Sequence, residues 1–345
     1  MTHNSRGAFE NCTDLISIIL PSTVTNIGLR SFQGCTNLTY VEMGDSISII
    51  GANAFANCSK ISSIQLPSSV SEMGAGAFSG CTKLASFEIP PAVTTISSAM
   101  FRNCSELATI SIPESVNNIE EYAFQDCSQL KNIHISSLKS WCEINYGYNY
   151  TWSHPNFNKS DYTLYLNGKI VEGDLSIPEG VKSISPLAFS NYKKIISLTL
   201  PNSLEKIGIS AFQNCTELEH VLLSPYLKTI DQYAFDGCDN LYEIELSRSV
   251  EECWNCGFEN CKSLYSIIVD SANNFYSSID GILYNKAQTE MICMPPAYTG
   301  QHVMPFSASV FPSTIVAGCS ALSVPPNANI PYPKLLDKKI LSKEK

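Results

Sequence analysis

At 345 residues the chain is long enough to bury a large core, either as two ordinary domains or as one elongated one. Its 22 Lys and Arg against 32 Asp and Glu leave a formal charge of −10, so it offers no basic footprint for nucleic acid or for an anionic membrane surface. No stretch approaches the roughly 18 uninterrupted apolar residues of a membrane helix, and the opening residues lack the apolar centre of a secretory signal.

From Phe9 onward the sequence repeats itself. Phe9, Phe32, Phe55, Phe78, Phe101 and Phe124 form one series, and Phe189, Phe212, Phe235 and Phe258 a second, each 23 residues from the next. A period of this size predicts a solenoid, in which a coil buries its apolar face only against the coils beside it. In nine of the ten coils Cys follows the Phe three residues later, from Cys12 to Cys261, and Tyr192 fills the remaining slot. The residue before that slot is always Asn, Gly or Asp, as at Asn11, Gly34, Asp126 and Asn260, which predicts a left-handed backbone there.

After the slot comes an alternating aliphatic run, as in residues 84–90 and 107–113, which predicts one strand per coil stacked into a parallel sheet. The proline that often closes the run has no N–H for the ladder and ends the strand. A V-x-x-I pair follows, such as Val24 with Ile27 or Val93 with Ile96, and reads as the return path, with the next Phe turning inward beside a single helical turn.

Residues 66–89, LPSSVSEMGAGAFSGCTKLASFEI, resemble the unit of the BspA-like branch of leucine-rich repeats nearly position for position. The resemblance covers residues 7 to about 270. It implies a mainly β fold of the α/β solenoid class: a right-handed leucine-rich repeat solenoid with a parallel β-sheet on the concave face. Short return strands and helical turns would line the convex side, with one β-hairpin interruption.

That interruption falls between Phe124 and Phe189, where Asn167-Gly168 between two alternating runs predicts a hairpin. Trp141, Tyr146, Tyr148, Tyr150, Trp152, Phe157 and Tyr162 crowd into it, either as a satellite core or as an exposed platform for a protein or a sugar. Near Phe275 the stretch DGILYN looks like a further hairpin element of the family. The organisation read from this is N-terminal repeats at 1–135, an aromatic-rich interruption at 136–176 and a second block of repeats at 177–270. Degenerate repeats follow at 271–325 and a flexible basic tail at 326–345. The chain opens inside a repeat at Gly7, which reads as a fragment or as a first coil that frays.

The 14 Cys are read chiefly as buried free thiols, because an odd-numbered column in apolar surroundings suits Cys as a small hydrophobe. Bridges between neighbouring coils, with Cα atoms about 5 Å apart, and metal binding are the alternatives. Cys253 and Cys256 have redox-type spacing, yet Cys253 stands in the column held by Ile27, Ile96 and Ile230, which reads as packing. The five His form no paired motif, and no phosphate loop or nucleophile elbow is present, so no catalytic residue, cofactor or metal is assigned. Glu42 and Glu88 are the best acid pair, and they read as a solvated strand face.

What the pattern offers is a surface. Outward strand positions, among them Tyr40, Glu42, Gln65, Glu88, Ser111, His134, Thr199 and Glu245, are the candidate binding residues, joined by Trp141 and Trp152 of the interruption. The family resemblance implies a non-enzymatic cell-surface or secreted protein of anaerobic bacteria or protists that adheres to host or microbial surface proteins. An anoxic exterior would reconcile export with so many thiols. A carbohydrate-binding accessory protein is the alternative, with a glycan as partner.

Overall fold

Each backbone amide in the turns of a coil has one of two destinations, and they alternate along the chain. In the coil around Phe55, the N–H groups of Ala54, Ala56 and Cys58 close turns onto Gly51, Asn53 and Phe55 at 3.1 Å. Those of Asn53, Phe55 and Asn57 instead reach the carbonyls of Ala75, Ala77 and Ser79 in the next coil, at 2.7 to 2.9 Å. This accounts for the buried polar backbone while locking coil to coil. The expected helical turn is therefore a run of β-turns: Asn53 (φ 53°) and Asn57 (φ 61°) are left-handed, and a helix cannot pass through them.

The computed structural model describes residues 3–4, 6–146, 161–254, 257–300, 302–303, 305, 307–308 and 322–323. It divides into two units, residues 1–171 and 172–345. In both, the architecture is a mainly β parallel solenoid, and partners in register stand 23 residues apart. Return strands pair as Asn26 with Ile49 and Lys206 with Thr229, and sheet strands as Ser17 with Tyr40, Glu88 with Ser111, and Thr199 with Leu222. The expected Cys253 position is observed, in register with Ile230 and buried; Cys256 lies outside the described residues.

The interior is built from columns. Phe9, Phe32, Phe55, Phe78, Phe101 and Phe124 stack with ring centroids 5.2 to 5.9 Å apart, and Phe189, Phe212, Phe235 and Phe258 at 5.2 to 5.5 Å. These separations exceed the strand spacing of about 4.8 Å because the rings are offset, as their quadrupoles favour. Beside them the thiols of Cys58, Cys81, Cys104 and Cys127 donate to the carbonyls of Phe32, Phe55, Phe78 and Phe101, at 3.0 to 3.2 Å. Cys215, Cys238 and Cys261 repeat the arrangement in the second unit. The column is thus free thiols, as expected, and each thiol adds a second donor to a Phe carbonyl that already accepts the backbone N–H three residues on.

Three features depart from the simple repeat. Residues 61–66 form no strand, and the ladder opens on the side where the Phe87 ring, tilted against Phe78 and Phe101, takes an aliphatic position. The interruption begins with a short helix, Leu138–Glu143, whose N-cap Ser137 accepts the Ser140 amide at 3.1 Å. It rejoins the sheet through Thr163–Leu166, which pairs in parallel with Asn132–Ile135, and turns at Asn167 (φ 49°) and Gly168 (φ 80°) into Lys169–Ile170. Two consecutive positive φ values make this the type I′ hairpin that Asn-Gly predicts. Tyr276–Ile279, Ile282–Asn285 and Met291–Cys293 form an antiparallel sheet, turned at Asp280-Gly281, and confirm the second hairpin element.

Candidate functional site

Alternation decides which side chains face water. In Ser86–Glu88 the middle residue is buried and its neighbours are exposed, and the same holds in Tyr40–Glu42. Parallel register then lines up the outward residues of successive coils. In the unit 1–171 this aligns Glu88, Ser111, His134 and Tyr165 across four hydrogen-bonded strands. Ile19 and Glu42 align on a separate pair of strands. Gln65, exposed, belongs to the stretch without strand structure, so the continuous face expected from the sequence is divided there.

In the unit 172–345, Thr199 aligns with Leu222 and Glu245 with Ile268, all four exposed. Here too the sheet is divided, between His220–Leu222 and Glu243–Leu246. The candidates Tyr40, Glu42, Gln65, Glu88, Thr199 and Glu245 are therefore exposed and Ser111 and His134 half-buried. Trp141 is corrected: at 2 % exposure it packs inside the interruption, edge-on to buried Tyr146 at 6.2 Å, and presents nothing to a partner. Tyr162 is buried as well, so the three described members of the expected aromatic cluster, Trp141, Tyr146 and Tyr162, all lie in the interior. Trp152, Tyr148, Tyr150 and Phe157 lie outside the described residues.

The faces carry aromatic features that the outward-position count missed. Tyr165 stacks on His134 at 4.5 Å with an interplanar angle of 5°. Tyr242 donates or accepts at His220 Nδ1 (3.0 Å) and stacks with Tyr265 at 6.1 Å. Tyr242 and Tyr265 sit one residue before their strands, so they fall outside a count of alternating positions; their shared 23-residue spacing was the available signal. Carboxylates hold two of these phenols protonated. Tyr40 donates to Glu42 at 3.2 Å, and that bond together with the charge raises its pKa; the charge of Glu243 does the same to Tyr265, whose hydroxyl it accepts at 3.3 Å.

Chemistry that distance in sequence had hidden is found at the second hairpin. Tyr284 Oη lies 2.7 Å from His302 Nε2, and His302 Nδ1 lies 3.1 Å from Asp280 Oδ2. Both rings are fully buried with Met291 and Ile282 in the core of the hairpin sheet, while the Asp280 carboxylate at the end of the relay is 60 % exposed. Burial raises the Tyr284 phenol further above its ordinary range. Among the described residues no cluster of His, Cys, Asp and Glu could hold a metal ion, and no helix is long and apolar enough to cross a membrane.

The family described as BspA type leucine rich repeat region matches residues 2–143 and 162–281, with 6 copies of the unit. A leucine-rich cell surface protein of Faecalibacterium prausnitzii is similar at 25 % identity over 94 % of this chain and 82 % of that one, with a TM-score of 0.46. The leucine-rich repeat protein TpLRR of T. pallidum is similar at 34 % identity over 39 % of this chain and 62 % of that one, with a TM-score of 0.38. The pneumococcal vaccine antigen PcpA is similar at 23 % identity, over 75 % of this chain and 63 % of that one, with a TM-score of 0.49. No curated protein matches the chain.

Proposed function

Since the chain belongs to the BspA-type leucine-rich repeat family, a family of repeat proteins that serve protein interaction, we propose that it is a non-enzymatic adhesion protein, displayed on the cell surface or secreted. Its partner on this reading is a surface protein of a host or of another microbe. The observation that carries the reading is the register of the strand faces. Outward side chains are set by backbone hydrogen bonds between coils, so a partner meets a pre-ordered surface and little ordering free energy is lost on contact. The carbohydrate reading has the exposed rings of Tyr40, Tyr242 and Tyr265 in its favour.

Capture from host and microbial surface extracts by the intact chain tests this, run beside the double variants Tyr40→Ala/Glu42→Ala and Thr199→Ala/Glu245→Ala. These positions are exposed, so the variants fold, and at least one is expected to lose a captured protein. Equal capture by all three chains would remove the strand faces from the function. Binding confined to a glycan array would transfer it to the carbohydrate reading, and turnover of a glycoside would end the non-enzymatic one.

A further inference from the structure

In the unit 172–345 the sheet is divided between the strands His220–Leu222 and Glu243–Leu246, and a groove of about 430 Å³ lies over the division. We propose that this groove takes an extended segment of the partner protein through Lys or Arg side chains of that segment. The proposal rests on the protein-interaction reading and adds the partner's chemistry.

Charge balance is the first argument. The groove's own cation, Arg248, pairs with Asp270 at 3.4 Å. Elsewhere in the unit Lys228 and Lys262 are held by Glu205 and Asp239 at 2.8 Å. Glu243 accepts only a neutral hydroxyl, that of Tyr265, and Glu245 has no partner among the described residues. Two carboxylates thus stand side by side on one strand face without a counter-cation, in a chain whose formal charge is already −10. An acidic partner would be repelled here and a basic one steered in.

Apolar surface is the second. Leu222, 66 % exposed, and Ile268, 39 % exposed, lie on either side of Glu245, and Ile268 is its register partner. A bare carboxylate set between exposed aliphatics matches a side chain with an apolar stem and a cationic head. Tyr242 and Tyr265, stacked and exposed, extend the strip with ring faces that attract a cation. A neutral sugar would use the rings and leave both carboxylates unmatched.

The test measures fluorescence anisotropy of a short labelled peptide of alternating arginine and threonine, against its citrulline counterpart of equal shape and no charge. The intact chain is expected to bind the arginine peptide at least about tenfold more tightly, with affinity falling as salt rises. Glu243→Gln/Glu245→Gln is expected to abolish that preference, while Glu72→Gln/Glu114→Gln, which removes the same charge from exposed positions off the outward strand faces, keeps it. Equal binding of the two peptides, or equal loss in both variants, would overturn the proposal, the latter by showing a response to net charge alone. A partner captured from extracts equally well by Glu243→Gln/Glu245→Gln would overturn the groove while leaving the protein-interaction reading standing.

Discussion

The left-handed residues set what a single substitution does to this molecule. Asn, Gly or Asp before the Cys slot was legible as a left-handed position, and the structure bears it out from Asn11 (φ 59°) to Asn260 (φ 56°). A second left-handed column was not legible, because it is filled by Gly7, Arg30, Asn53, Gly76, Ala99, Tyr122, Leu187, Ser210 and Tyr233, which share no side-chain chemistry. There the hydrogen bonds between coils impose the conformation on whatever residue is present. Ala99 (φ 53°) carries the steric cost of that conformation and a side chain of one carbon, so Ala99→Gly is expected to stabilise the fold by about 0.5 to 1 kcal/mol in urea unfolding. Gly80→Ala should do the opposite by a larger margin. Its φ is 73°, and a Cβ there would lie 2.3 Å from Asn57 Oδ1 in the preceding coil. Equal midpoints for Gly80→Ala and the parent would mean that neighbouring coils are not as tightly seated as the Asn57 contact requires.

At the scale of elements, the repeat was readable wherever the 23-residue period held, because period-two alternation and the Phe-Cys spacing each specify a strand or a turn without help from distant residues. What escaped was local structure that depends on packing. The helix Leu138–Glu143 is six residues long, too short to show periodicity, and it exists because Leu138, Trp141 and Cys142 bury together under a Ser137 cap. The stretch 61–66 has the same aliphatic pattern as its neighbours and yet forms no strand, a break that its own residues do not mark. Of the site, the outward columns were legible and their aromatic additions were not. Trp141 gives an element-scale test: Trp141→Ala is expected to cost about 3 to 5 kcal/mol, the range for emptying a large buried aromatic site, and to leave partner capture unchanged once the protein is folded. Loss of capture at an unaltered melting temperature would restore Trp141 to the binding surface.

Across the whole molecule the thiol column links stability to pH. Except where Tyr192 fills the slot and at exposed Cys12, each coil contributes one Cys whose proton sits on a Phe carbonyl of the coil before it, in surroundings where a thiolate would be poorly solvated. Burial accordingly raises the column thiols of Cys58 and Cys238, and pushes Cys81 up to about 12; Cys104 is raised first by its hydrogen bond with Cys127 and then by burial. Unfolded, the same groups titrate near 9.0. A folded pKa above the unfolded one means that the unfolded chain sheds protons first. The stability these thiols contribute is therefore fully present below pH 9 and is lost as pH climbs from there through about 12. The melting temperature is expected to fall over that window, and more gently in a Cys81→Ala/Cys238→Ala chain, which starts lower but has two fewer protons to lose. Iodoacetamide at pH 9 should leave Cys58, Cys81, Cys104 and Cys238 unmodified in the native protein and alkylate them on unfolding, read residue by residue by mass spectrometry. Modification of these residues at the same rate in folded and unfolded chains would show that the column opens to water, and with it that neighbouring coils within each unit do not share an interior.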